Sequence, residues 1–226
     1  MDLGTQASDA YLNCRDLRHV LLARRPAVRL IAVSKGQSPE KIRALYVEGQ
    51  REFGENYLDE LEHKADALSA LKDLKWVFIG QLQSNKIQRI MKVATEIQTV
   101  ASEKHARYIA RYATELDKAP YPVFIEINCD EEQKGGATRQ EALNVARFIQ
   151  RECPGIRLRG LMAVPPSQFT DAIVKDIPPL YQDLVQLAHS IGEGELSLGM
   201  TADRGIALAA GSTCLRIGRA LFGARS

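Results

Sequence analysis

The feature that most constrains this chain is a repeated alternation. Short apolar, β-branched runs are separated by longer stretches with helical periodicity, and the cycle occurs eight times. The expected strands are 28–34, 51–54, 76–80, 96–100, 123–129, 156–164, 195–199 and 214–218. Between them lie amphipathic segments with recognisable starts. Ser38 precedes Pro39, as a helix N-cap precedes a first-turn proline, and Gly49 closes that segment. Leu58, Leu61, Ala65 and Leu68 share one helical face, as do Ile109, Tyr112 and Leu116. Ser102 opens the latter helix, and Thr138 with Glu141 three residues later forms a capping-box pattern.

Strand–helix units joined by short connections make a parallel α/β protein. An open, doubly wound sheet also accommodates such alternation. Eight units without a compositional break favour closure into a (β/α)8 TIM barrel, and 226 residues fall near the lower end of its usual range. No Pro/Gly/Ser-rich linker divides the chain, so residues 1–226 are read as a single domain, with an extra N-terminal helix at about 5–24. The second strand, within "REFGEN", is short and charged at its start; it is accepted on count and spacing.

In a parallel barrel the chemistry sits at the C-terminal ends of the strands. The first run, "RLIAVSK", ends in Ser34 and Lys35. Burial of a lysine there disfavours its charged form, and the neutral amine can attack an aldehyde; the alternative is a surface lysine following a strand. The second strand end supplies Asn56 and the sixth Met162. Near strands seven and eight, where barrels commonly bind phosphate, "GMTAD" places Met200 and Thr201 before a helix, and "RIGR" places Gly218 and Arg219 at a second turn. Thr201 and Asp203 as ordinary helix caps, and Gly211 as an ordinary helix terminator, remain open alternatives. Arg216 projects from the last strand, either into the barrel or into a structural ion pair.

Bulk properties exclude other classes. Thirty basic and 28 acidic residues leave a net charge of +2, with no basic stripe interleaved with aromatics, so no nucleic acid is expected as a partner. No apolar run approaches membrane-spanning length, and the polar start "MDLGTQASDAYLNCRDL" is not a signal peptide. A cytoplasmic protein without membrane attachment is expected. Cys14, Cys129, Cys153 and Cys214 form no CxxC pair, and the four histidines have no metal-ligand spacing, so no metal site is expected.

A phosphate cradle, a Schiff-base lysine and an arginine in one barrel point to pyridoxal 5′-phosphate (PLP). The blocks "AVSKGQSPEKI", "FGENYLDEL", "WVFIGQLQSNK", "GLMAVPP" and "LSLGMTADRGIALAAGSTCLRIGRALFG" closely resemble the pyridoxal-phosphate homeostasis protein family, single-domain relatives of the alanine racemase barrel. The resemblance runs from about Val28 to Gly223. It implies an alanine racemase N-terminal-domain-like barrel that holds PLP as a Schiff base on Lys35. It further implies that Thr201 and the backbone around Met200 form part of a phosphate cup, with the amides of Gly218 and Arg219 as its other wall. Arg216 resembles the arginine facing the pyridine nitrogen. Asn56 and Met162 resemble residues lining the cofactor, and Ser212 and Thr213 match a Gly-Ser-Thr element assigned to support of the phosphate turn.

The function so implied is intracellular PLP homeostasis and amino-acid balance without established catalysis, with PLP-dependent apo-enzymes as recipients of the cofactor; nothing in the sequence demands a dimer, so a monomer is expected. No residue is assigned a catalytic role. A guanidinium beside the pyridine nitrogen leaves it unprotonated and weakens the ring as an electron sink. A racemase also draws a tyrosine from a second domain, which is not expected in this chain. The alternatives are a small amino-acid racemase of alanine racemase type and a barrel aldolase using Lys35 on a sugar phosphate. Three departures from the family pattern stand out. Val77 occupies the position of a common histidine, Gly36-Gln37 follows the lysine, and Leu198 and Thr201 replace Met and Ser. Lys134, in the loop after the fifth strand, is either a second cofactor contact or a solvated loop lysine.

Overall fold

The structure is a computed structural model, and it describes residues 28–129, 135–171 and 176–223. The expected N-terminal helix at 5–24, Cys14 and Lys134 lie outside the described residues. Eight strands alternate with eight helices in the described chain. They are β1 (Arg29–Val33), α1 (Pro39–Val47), β2 (Glu52–Glu55), α2 (Leu58–Ala67), β3 (Lys75–Phe78), α3 (Ile87–Val93), β4 (Glu96–Val100) and α4 (Glu103–Glu115). They continue as β5 (Tyr121–Ile127), α5 (Arg139–Glu152), β6 (Ile156–Ala163), α6 (Pro179–His189), β7 (Glu195–Ser197), α7 (Arg204–Ala210), β8 (Cys214–Ile217) and α8 (Arg219–Phe222). All strands are parallel, and β8 pairs with β1 in the register Arg29↔Cys214 to Ala32↔Ile217, which closes the barrel.

Side-chain capping starts two of the eight described helices. The Ser102 hydroxyl accepts the His105 N–H, and Thr138 with Glu141 completes the reciprocal capping box. Ser38 holds the N-cap position of α1 before Pro39, but its hydroxyl makes no capping bond there. Gly49 takes φ 98°, in the left-handed region that terminates such helices cheaply.

Outside the barrel, one continuous apolar layer joins strands to helices, with Phe53, Leu61, Ile87, Ile109, Val123 and Tyr181 among its fully or nearly fully buried members. Inside, the period of two along each strand builds layers. On β1, Arg29, Ile31 and Val33 share one parity, and Lys35 continues it past the strand end. Arg29 belongs to a charged floor. It pairs with Glu52 (2.8 Å) and Glu96 (3.1 Å), and Arg159 pairs with Glu96 (2.8 Å) and Glu195 (2.6 Å). Above it, Ile31, Val77 and Cys214 pack as an apolar plug with Ile79. Gly54 belongs to this layer, since a Cβ there would come within 3.0 Å of Ile31 and Ile79. The cavity lies on top. A register shift between Val123 and Phe124 pairs Phe124 with Gly160, and this bulge allows both Arg159 and Met162 to face inward although three residues apart.

Candidate functional site

The C-terminal mouth of the barrel holds a cavity of about 980 Å3, at the upper end of the range for small-molecule sites. Its wall includes Lys35, Asn56, Met162, Met200, Thr201, Arg216, Gly218 and Arg219, which the chain brings together from five different strand ends. Ser212 and Thr213 do not reach it, which corrects their expected place at the cofactor. They precede β8, at the opposite end of that strand. The buried Ser212 hydroxyl donates to the Leu198 carbonyl (2.6 Å), and the Thr213 hydroxyl accepts the Leu196 N–H (2.9 Å). Both brace β7 from behind.

Lys35 is half-buried in the turn after β1 and lines the cavity. Asn56 continues the inward parity of Glu52 and Gly54, and its Oδ1 is buried without a hydrogen-bond partner. A Cβ at Gly80 would fall on the Asn56 carbonyl, so the absence of a side chain there lets the two backbones close on each other. Arg216 is 4% exposed. One terminal nitrogen donates to the Ser197 carbonyl and hydroxyl (both 2.7 Å), and the other donates to the Ala163 carbonyl (2.8 Å). Burial pulls its pKa down from the ordinary guanidinium value, while Cys214, Asp203 and Glu126 raise it.

The "GMTAD" turn is organised differently from the expectation. The Met200 N–H, expected to face an anion, donates to Asp203 Oδ1 (2.7 Å), and Asp203 Oδ2 accepts from the Tyr181 hydroxyl (2.8 Å). Burial, together with that bond, raises the Tyr181 pKa, so tyrosine is the donor. The amides of Gly205 and Ile206, at the start of α7, donate to Asp171 (both 2.9 Å). These amides are already engaged. Met200, Thr201 and the turn at Gly218–Arg219 still line the cavity, and the Ala220 N–H reaches Thr201 Oγ1 at 3.4 Å.

Gly199 makes the turn possible. Its φ is +101°, and a Cβ would lie 2.6 Å from that of Ala207 and 2.7 Å from Leu215 Cδ2. Gly199→Ala is expected to destabilise the protein by about 2–3 kcal/mol through backbone strain and overpacking. Thermal denaturation should show the midpoint falling by roughly 4–12 °C; an unchanged midpoint would mean the turn is looser than these distances require.

Sequence reasoning missed Glu126. It lines the cavity from β5, where burial pushes its carboxyl up from the ordinary range and Arg216 opposes that shift. The signal was present: in "VFIEIN" a single carboxylate interrupts a core strand at the parity of Phe124. Among the described residues no helix is long and apolar enough to cross a membrane, and no cluster of three or more His, Cys, Asp or Glu side chains is placed to hold a metal.

The arrangement matches known proteins over nearly its whole length. The family model described as alanine racemase, N-terminal domain, matches residues 10–226. A protein of Caenorhabditis elegans named pyridoxal phosphate homeostasis protein is 38% identical over 211 residues, covering 87% of this chain and 86% of its own. One of the same name from Pasteurella multocida is 38% identical over 222 residues, covering 93% and 94%. Among solved structures, PipY of Synechococcus elongatus, with PLP bound, superposes with a TM-score of 0.79 at 31% identity, covering 92% of this chain and 99% of its own.

Proposed function

This chain belongs to the pyridoxal phosphate homeostasis protein family, with the alanine racemase N-terminal-domain fold, and from that premise we propose that it binds PLP as a Schiff base on Lys35. Its role is to hold and supply the cofactor inside the cell, and so to bear on amino-acid balance, rather than to turn over a substrate. The observation that carries this reading is the convergence of Lys35, Arg216, Thr201 and the Gly218–Arg219 turn on one cavity.

The residues present fit the group. Asn56 Oδ1 is a buried acceptor without a partner, suited to a donor on an occupant. Three cationic side chains, Lys35, Arg216 and Arg219, face one carboxylate, Glu126, among the described lining residues, which suits an anionic ligand. When bound, PLP supplies an aldehyde for a primary amine and an aromatic ring that withdraws electrons. Lys35 supplies the amine. Thr201, Gly218 and Arg219 would hold its phosphate, and Met162 and Val33 would offer apolar surface to its ring. Arg216 would face its ring nitrogen. Its guanidinium holds its proton at any physiological pH and gives none to that nitrogen, so the site favours retention over carbanion chemistry.

Thermal denaturation of the apo-protein with and without PLP tests the reading. At a PLP concentration of about one hundred times Kd, stabilisation of about 2.7 kcal/mol is expected, or a rise of roughly 5–10 °C in midpoint. A visible absorbance band from the imine should accompany it. A colourless protein with an unchanged midpoint would remove the proposal, and racemisation of alanine or serine at ordinary enzymatic rates would replace it with the racemase alternative.

A further inference from the structure

Behind the turn that carries Lys35 lies a buried ionic cluster that does not touch the cavity. Lys64, on α2, is 3% exposed and Glu55, at the end of β2, is 0% exposed. Glu55 has the outward parity of its strand, between the barrel and α2. The Lys64 ammonium donates three hydrogen bonds: to Glu55 Oε1 (2.7 Å), to Glu60 Oε2 (2.7 Å) and to the carbonyl of Ser34 (2.8 Å). The same carboxylates grip the turn directly. Glu55 Oε1 accepts from the Ser34 hydroxyl (2.6 Å), and Glu60 Oε2 accepts from the Gly36 N–H (2.8 Å). The peptide units on both sides of Lys35 are thus tied to one lysine and its two partners.

Fold stability alone does not call for this arrangement. Burying an ammonium and a carboxylate costs several kcal/mol each, and apolar side chains of similar volume hold a helix to a barrel at least as well. Burial also pushes the Glu55 carboxyl up, against its bonds from Lys64 and Ser34, and its second oxygen has no partner. What an apolar contact cannot do is fix the direction of a carbonyl and an amide on either side of a reacting residue. We propose that Lys64, through Glu55 and Glu60, is a positioning residue that aims the Lys35 amine into the cavity. The inference rests on the reading of Lys35 as the covalent anchor.

The test separates covalent capture from binding. The rate of imine formation with PLP is followed by absorbance, and the affinity for pyridoxine 5′-phosphate, which lacks the aldehyde, is measured alongside. The variants are Lys64→Met combined with Glu55→Gln, which leaves no unpaired buried charge, and Glu60→Ala, at a half-exposed position that carries little folding risk. A misplacement of about 1 Å costs up to a hundredfold in rate, so the double variant should capture PLP about 10–100-fold more slowly and Glu60→Ala several-fold more slowly. Affinity for the alcohol should stay within about twofold in both. Wild-type capture rates in Glu60→Ala and the double variant would overturn the proposal. So would a loss of alcohol affinity in proportion to the rate, which marks a merely structural role. If the wild-type protein binds the alcohol but never captures the aldehyde, the anchor reading itself fails, an outcome distinct from the other two.

Discussion

Lys35→Ala should yield a protein that folds normally, remains colourless with PLP and carries no cofactor after borohydride reduction. Lys35 sits half-buried in a turn, beyond the last hydrogen-bonded pair of β1, so trimming it leaves the sheet register and the apolar plug untouched. The apo-protein midpoint should move by no more than about 2 °C, the usual reach of a substitution away from the core. The effect on the ligand is of another order. On the proposed reading, PLP without the amine would be held by its phosphate and ring contacts alone, and affinity should fall by at least about a hundredfold, which corresponds to about 2.7 kcal/mol. Among the described residues lining the cavity, Lys35 is the single lysine. Peptide mapping of the reduced wild-type protein should therefore place the label on the segment containing Lys35. A persistent band in Lys35→Ala, with the label elsewhere, would overturn the assignment and move attention to Lys134.

The difficult parts of the sequence share a physical cause. Strands such as "RLIAV" and "PVFIEI" declare themselves because both faces of a parallel barrel strand are buried. The segment "REFGEN" did not, yet β2 forms there. Glu52 enters the ion network on the barrel floor, Gly54 clears space for Ile31 and Ile79, and Glu55 is buried against Lys64. Hydropathy counts a charge that is paired inside a barrel as though it were solvated. The same blindness hid Glu126, which reads as an interruption in a core strand, and Lys64, whose charge masks its helical spacing beside Leu61 and Leu68. Ser212 and Thr213 failed for a different reason. They are close in sequence to Arg216 but precede β8, and strand direction alone puts them at the end away from the cavity. The amides near Met200 and at the start of α7 could not be judged without knowing that Asp203 and Asp171 reach them first.

Arg216→Met should produce the largest loss of stability among single changes in the cavity wall, and a weaker site as well. The guanidinium supplies donors to the Ser197 carbonyl, the Ser197 hydroxyl and the Ala163 carbonyl, joining β8 to β7 and β6 across the top of the barrel. Methionine fills comparable volume and supplies none of them. Charge-assisted bonds of this kind contribute about 1.5–3 kcal/mol each, and removal of the guanidinium's own desolvation cost offsets part of their loss. A net destabilisation of about 2–4 kcal/mol follows from these two terms. At 2–4 °C per kcal/mol, the apo-protein midpoint should fall by roughly 5–15 °C. Arg216→Lys separates charge from geometry. It keeps a cation but, with a single tetrahedral nitrogen, cannot span three acceptors on two strands in one plane. Its midpoint should lie between those of wild type and Arg216→Met. If lysine instead restored full stability, the arginine would act only as a charge balancing Glu126; if methionine were as stable as wild type, the bonds to Ser197 and Ala163 would not be what holds the top of the barrel together.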